Sequence, residues 1–169
     1  MTGPGTDLTE DFKAVFRHLA SGVSLVSATT AEGPVGLTLS SVASVSADPA
    51  VLVFSVTKAT GSAGGILAAP SMVVHFLRVG QEGIADAFAR TGQPRFTPEQ
   101  GWQTLPTGEP YLPDTRGALR CTIRQTVSVG PSALVLADVH EVLPGGEGEP
   151  LLYHDRHYDR LAPAHIDAS

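Results

Sequence analysis

The densest run of small polar side chains lies between Gly36 and Pro49, reading Gly-Leu-Thr-Leu-Ser-Ser-Val-Ala-Ser-Val-Ser-Ala-Asp-Pro. Hydroxyls at Thr38, Ser40, Ser41, Ser44 and Ser46 crowd one strand and its exit, with almost no charge among them. Short hydroxyls and backbone N–H groups are the donors that a neutral heteroaromatic ring needs along its polar edge, and an apolar wall suits the rest of it. The same residues also suit a solvated strand edge, and composition alone leaves both readings open. A second patch, Lys58-Ala59-Thr60-Gly61-Ser62, follows a buried apolar run and precedes a short helix. One ammonium, two hydroxyls and the backbone N–H groups of a helix-opening loop can cradle a phosphate. A flexible Gly-rich turn is the plain alternative.

Other chemistries find less support. No G-x-G-x-x-G opens a helix after a strand, and there is no P-loop. Thr60-Gly61-Ser62-Ala63-Gly64 approaches a nucleophile elbow but carries Thr where the first Gly belongs, which argues against serine hydrolysis. His154-Asp155-Arg156-His157-Tyr158-Asp159 holds two histidines three apart, a spacing that can ligate a metal on a helix. Arg156 and Arg160 interleave there and oppose a cation, so the segment reads as a polar strand end and turn, and no metal is expected. His18 and His75 sit beside apolar positions and read as hydrogen-bonded wall residues. The single cysteine, Cys121, excludes an internal disulfide and an all-cysteine metal site. Its neighbours Ala118, Leu119 and Ile123 make it a buried core thiol.

The elements that position these groups follow from the hydrophobic period. Phe12, Val15, Phe16 and Leu19 fall at i, i+3, i+4 and i+7, one apolar stripe of a helix that Thr9 can cap and Gly22 stops. Val23 to Thr30 and Val35 to Ser41 are strands around the turn Glu32-Gly33-Pro34, a hairpin. Ala50 to Val56 is a continuous apolar strand, expected to be buried on both faces. A short helix surrounds Ile66, and Met72 to Leu77 is a strand. Gln81 to Arg90 is a helix with Ile84, Ala85 and Phe88 facing inward. Residues 91 to 117 are Pro- and Gly-rich and mostly loop. Leu119 to Val129 and Ala133 to Val142 are long strands joined at Gly130-Pro131-Ser132, and Leu151 to Tyr153 is a last short strand. Antiparallel neighbours with few helices between them predict a mainly β fold, a closed or partly closed barrel with peripheral helices.

Composition bounds the rest. The 169 residues suit one domain, 1–169, with residues 1–6 small, polar and frayed. A formal net charge of −6 argues against non-specific binding to nucleic acid or anionic membranes. Charged residues make up 17%, below the ~25% typical of soluble domains, so some apolar surface should be covered by a ligand or a second subunit. No apolar run approaches a ~20-residue membrane span, and Met1 to Asp11 carries no signal-peptide core. A cytoplasmic protein is expected.

Several of these pieces, in order along most of the chain, resemble the flavin reductase-like family. Phe16-Arg17 with Ala20-Ser21-Gly22-Val23 resembles its opening turn. Gly36-Leu37-Thr38-x-Ser40-Ser41-x-x-Ser44-Val45-Ser46-x-Asp48-Pro49 resembles its central signature, the longest and most specific match. Gln81, Ala85, Phe88 and Ala89 resemble its Q-x-x-x-A-x-x-F-A helix, and Pro150-Leu151-Leu152-Tyr153 with Tyr158 its closing segment. The resemblance implies an antiparallel Greek-key split β-barrel that binds FMN, or less often FAD. It implies NAD(P)H:flavin oxidoreduction with NADH or NADPH as co-substrate, as a homodimer that transfers reduced flavin to a monooxygenase component. It puts Thr38, Ser40, Ser41, Val45 and Ser46 at the flavin ring and ribityl chain, and Lys58, Thr60 and Ser62 near the phosphate. Leu77, Ala85 and Phe88 would line the pocket. Many relatives carry G-D-H between the two long strands, with the His on the nicotinamide side. Here the segment is Gly130-Pro131-Ser132, so Ser132, His154, Arg156, His157 and Tyr158 are the nicotinamide-side candidates. No catalytic acid or base is expected, because the flavin carries the chemistry. A flavin carrier or sensor without efficient reductase activity, and a flavin-retaining oxidase or monooxygenase with its own organic substrate, are the rival readings.

Overall fold

The computed structural model describes residues 7–57 and 59–163, so Lys58 and the expected fraying of residues 1–6 lie outside the described residues. Helix α1 spans Leu8–Arg17. Its cap is Asp7, whose side chain accepts a hydrogen bond from the Thr9 amide at 3.0 Å, rather than Thr9 itself. The helix ends at Arg17 with His18 as C-cap, short of Gly22. No residue of α1 is buried. The stripe of Phe12, Val15, Phe16 and Leu19 is real but stands 55–69% exposed, because no described element of the same chain lies over it.

The strands are β1 (Ser21–Gly22), β2 (Ser24–Thr30), β3 (Gly33–Leu39), β4 (Ala43–Ala47), β5 (Ala50–Val56), β6 (Met72–Phe76), β7 (Gln103–Thr104), β8 (Pro110–Tyr111), β9 (Gly117–Val129), β10 (Ser132–Pro144), β11 (Leu152–His154) and β12 (His157–Asp159). Two further helices are α2 (Gly61–Ala68) and α3 (Glu82–Ala89). Seven strands form one sheet in the order β3-β2-β6-β9-β10-β5-β4, and every neighbouring pair is antiparallel. The edge strands β3 and β4 follow each other in the chain without a ladder between them, so the sheet curls into a barrel that stays split. At that seam the Ser41 hydroxyl donates to the Ser55 carbonyl at 3.1 Å and accepts from the Ser55 amide at 3.0 Å. A separate three-stranded sheet, β1-β11-β12, closes one end. No helix among the described residues is long and apolar enough to cross a membrane.

The interior has two parts. Inside the barrel, Val26, Phe54, Ile66, Met72, Val74, Cys121 and Val135 are buried together. Strand β5 puts Val51, Leu52, Phe54 and Val56 inside but leaves Ala50 exposed and Val53 and Ser55 half-covered, so it is not buried on both faces throughout. Burial pushes the Cys121 thiol up to about 12, which keeps it a protonated core group. The second cluster, Val23, Leu25, Leu77, Ala85, Phe88, Leu112 and Leu151, lies under α3. Each fully buried side chain of this size contributes about 1.5–3 kcal/mol. Helix α3 can approach β3 because residue 36 is glycine: a Cβ there would meet the Phe88 ring at 2.7 Å.

The long segment after α3 is irregular, as expected, but firmly held. Ser27 Oγ donates to the Pro110 carbonyl at 2.6 Å, and Thr29 Oγ1 to the Gly108 carbonyl at 2.8 Å. Glu109 is buried and accepts from Ser71, Thr107 and, at 2.8 Å, Arg120. Burial alone would raise its pKa, but those hydrogen bonds and the Arg120 charge outweigh it and hold the carboxyl below its usual range. His75 is fully buried: Nδ1 lies 3.0 Å from the Leu25 carbonyl, and Nε2 accepts from the Leu112 amide at 3.1 Å. The carbonyl fixes the proton on Nδ1, so the ring is a satisfied neutral wall residue.

Two outcomes follow from these contacts. Gly36→Ala should lower the stability of the fold by about 1–3 kcal/mol, because the fully buried Phe88 ring must move; a melting temperature equal to wild type contradicts the packing. Burial lowers the His75 pKa from 6.5 to about 4. Between those values the unfolded chain binds a proton that the native state refuses, so stability is full above pH 6.5 and falls as pH drops towards 4. Denaturant titrations at pH 7.5 and pH 5 should differ by about 2 kcal/mol from this group, a difference that His75→Gln removes.

Candidate functional site

A cavity of about 740 Å³ opens between β3, α3 and the β11–β12 hairpin. Thr38, Leu39 and Ser40 at the end of β3 form one wall. The outward face of α3 forms the second, with Glu82, Gly83, Asp86, Ala89 and Arg90. Tyr153, Arg156, His157 and Tyr158 form the third. Helical spacing explains the division of α3. Ala85 and Phe88 turn to the core, and the cavity receives the residues on the other face. Thr38 joins two walls, since its Oγ1 donates to the Ala85 carbonyl at 2.7 Å.

The electrostatics of the cavity are mixed. Arg90 Nε lies 3.1 Å from Asp86 Oδ1, an i,i+4 pair on a solvated face. Tyr153 and Tyr158 pack edge to face with ring centroids 5.5 Å apart. Burial, and then the charge of Asp86, raise the Tyr158 phenol above its ordinary value, so it stays protonated. His157 Nδ1 lies 2.8 Å from the Asp155 carbonyl, which makes Nδ1 the donor and leaves Nε2 as an acceptor.

Beside the far end of α3 is a cationic corner. Helix α2 begins at Gly61 after Thr60, whose side chain caps nothing, and its first turn has no acid. The opening N–H groups therefore have no side-chain acceptor and carry the positive end of the helix. Arg95 sits against this turn: Nη1 donates to Ser62 Oγ at 3.1 Å, Nε to the Ala87 carbonyl at 2.9 Å and Nη2 to the Arg90 carbonyl at 2.6 Å. Its guanidinium lies 5.4 Å from the Phe88 ring centroid. Arg95 thus links the start of α2 to the end of α3, where Ala89 and Arg90 line the cavity.

The expected site residues are distributed unevenly. Thr38, Ser40, Arg156, His157 and Tyr158 meet in the cavity. Ser62 lies at the cationic corner, and Thr60 is exposed at its edge. Ser41 spends its hydroxyl on the seam. Ser46 lies in a second, smaller groove of about 260 Å³ with Val42, Ala50 and Val142, and Val45 stands 53% exposed beside it. Leu77, Ala85 and Phe88 do not line the cavity but are buried in the core beneath it, because α3 presents its polar face outward. Ser132 is not at the cavity either: its hydroxyl donates to the Thr57 carbonyl at 3.2 Å, and the Pro131 carbonyl accepts from Ala59. His154 turns towards α1. Sequence reasoning missed Glu82, Asp86, Arg90 and Arg95. The three on α3 were legible from the period as its polar face. Arg95 lies in the irregular segment and had no local signal.

The donor set fits a flavin. One wall offers small hydroxyls, another two tyrosine rings, and the neighbouring corner an uncapped helix start with a guanidinium, as a phosphate wants. The volume falls in the ~300–1,000 Å³ range of small-molecule sites.

Comparison with known proteins agrees. Residues 16–162 match the family model described as flavin reductase like domain. An NADH:FMN oxidoreductase from Rhodococcus qingshengii is 36% identical over 157 residues, 90% of this chain and 82% of that protein. The reductase component of 4-hydroxyphenylacetate 3-monooxygenase from Thermus thermophilus is 30% identical, over 91% of this chain and 97% of its own. The crystal structure of a flavin reductase domain protein from Arthrobacter sp. FB24 superposes with a TM-score of 0.88 at 33% identity, covering 95% of this chain and 99% of the other. With the split barrel, the signature strand and the match over nearly its whole length, this chain belongs to the flavin reductase-like domain family.

Proposed function

We propose that the chain is a cytoplasmic NAD(P)H:flavin oxidoreductase that reduces FMN, with FAD as the alternative flavin, and supplies reduced flavin to a monooxygenase component. The observation that carries this reading is that the ring-sized cavity adjoins the cationic corner: Arg90 lines the cavity, its carbonyl accepts from Arg95, and Arg95 reaches Ser62 at the start of α2. The names of the similar proteins, an NADH:FMN oxidoreductase and a monooxygenase reductase component, support it. A bound flavin supplies the redox chemistry, accepting a hydride from reduced nicotinamide.

The residues of this chain bind and orient. Ser40 offers a hydroxyl to the ring edge, and Thr38, its proton committed to Ala85, holds β3 and α3 at a fixed separation. Ser62, Arg95, the opening amides of α2 and Lys58 hold the phosphate. Tyr153 and Tyr158 cover the ring and exclude water. Arg156 and His157, at the cavity mouth, face the pyridine nucleotide, with the guanidinium suited to its diphosphate. Hydride transfer needs alignment of two rings rather than proton relay, which suits a site without a catalytic acid or base.

The partner copy in a homodimer covers what the chain leaves bare. Leu8, Phe12, Val15 and Phe16 on α1 and Leu19 just after it are exposed, as is Val45, and Val142 is exposed where it lines the smaller groove. Patches of this kind mark interaction surfaces.

Steady-state oxidation of NADH and of NADPH with FMN tests the activity; flavin binding without oxidation of either would establish the carrier reading instead. Arg95→Ala should weaken FMN binding about tenfold or more and leave riboflavin, which lacks the phosphate, within about twofold. Equal losses for the two flavins would remove Arg95 from the phosphate. Light scattering should give twice the 17.6 kDa chain mass at micromolar concentration, and Phe12→Asp with Phe16→Asp should shift it towards the monomer. A monomeric wild type contradicts the covered surface.

A further inference from the structure

The turn between β11 and β12 meets the C-terminal end of α1. The Asp155 amide donates to the Arg17 carbonyl at 3.0 Å and holds the turn there. The Asp155 carboxylate then lies between two imidazoles. His18 Nδ1 is 3.1 Å from Oδ1, and His154 Nε2 is 3.5 Å from Oδ2. One donor atom from each of the three residues lies within 4.8 Å of the others.

Asp155 Oδ1 is buried and has no hydrogen-bond partner, since His18 Nδ1 is near it but not directed as a donor. A carboxylate with one orphaned oxygen, standing beside one imidazole nitrogen at each of its two oxygens, offers the donor types that zinc takes. Zinc bonds to imidazole N and carboxylate O of about 2.0–2.2 Å set tetrahedral neighbours roughly 3.3 Å apart, close to both short distances here. Closing the two imidazoles on the ion needs only side-chain rotation, because His18 and His154 are partly exposed. Asp155 and Arg156 hold φ of 47° and 66°, the left-handed values of a tight two-residue hairpin turn. Arg17 and Arg156 adjoin the cluster in sequence, and their side chains are exposed to solvent, which screens them.

We propose that His18, His154 and Asp155 bind a divalent transition-metal ion of the zinc type, which fastens the β11–β12 turn to the end of α1. The histidine pair suggested by sequence spacing is not the pair used. His154 and His157 face each other across β11 and β12, and His157 Nδ1 is engaged by the Asp155 carbonyl. The second imidazole comes from His18 near the other end of the chain. A remaining position on the ion stays open to water. Because Arg156 and His157 of the same turn line the cavity, the bound ion stiffens one of its walls. The proposal stands on this cluster alone and does not depend on the flavin reading.

The test is calorimetric titration of the full, untagged, chelator-treated chain with zinc sulfate at pH 7.5. One zinc per chain with micromolar affinity is expected. His18→Gln and His154→Gln should each weaken binding about tenfold or more. His140→Gln, on a distant strand, should leave it unchanged. Zinc should raise the melting temperature of wild type but not of His18→Gln. Binding only at millimolar zinc, or tight binding that both His18→Gln and His154→Gln leave intact, overturns the proposal.

Discussion

The site depends on how closely α3 approaches β3. Gly36 makes that approach possible, since a methyl group there would meet the Phe88 ring at 2.7 Å. Two residues further along β3, the Thr38 hydroxyl donates to the Ala85 carbonyl and sets the register of the helix on the strand. Phe88 and Ala85 face the core as a result, and Glu82, Asp86 and Arg90 face the cavity. A helix 1 Å further out would uncouple the hydroxyl wall from the α3 wall, and the cavity would lose its shape before any contact residue had changed.

The split of the barrel has the same economy. Edge strands normally expose unpaired backbone groups. Here the two edges β3 and β4 are successive in the chain, and the Ser41 hydroxyl satisfies both the amide and the carbonyl of Ser55 at the seam. The seam therefore holds without a ladder and leaves the end of β3 free to line a cavity. Arg95 extends that arrangement. Its three hydrogen bonds tie α2 and α3 together at the corner where the helix start is uncapped. A guanidinium fixed by two carbonyls loses little further freedom on meeting an anion.

Most of the barrel was legible in the sequence because its strands carry their signal locally. Ala50–Val56 reads as a strand from its own residues, and the β2–β3 hairpin from the Glu32-Gly33-Pro34 turn. The inward set of α3 was legible from its period. The short strands β4, β7, β8 and β12 were not, since elements of two to five residues take their shape from the partner strand. The stripe on α1 gave the helix but not its surroundings, because periodicity reports that a face is apolar, not what covers it. The family resemblance assigns Leu77, Ala85 and Phe88 to the pocket lining, and in the structure they lie in the core beneath the cavity. Ser132 and Arg95 sit in irregular segments whose contacts are long-range, and nothing in their neighbourhoods announced them. His18 meets the adjacent pair His154-Asp155 only through the fold.

The distribution of shifted titrating groups bears on what kind of chemistry the cavity performs. Strong shifts in a cleft ordinarily point to acid–base work. Here the two largest belong to His75 and Cys121, both in the interior and both caused by burial. His75 is satisfied at each nitrogen by backbone, so its shift reports packing and not function. In the cavity, Tyr158 is shifted in the direction that keeps it neutral. Hydroxyls on β3 and the rings of Tyr153 and Tyr158 can hold a flat ring, while the charges of Glu82, Asp86 and Arg90 stand together on the α3 wall. That is the environment expected where two flat molecules must be aligned and the electrons, not the protein's protons, are transferred.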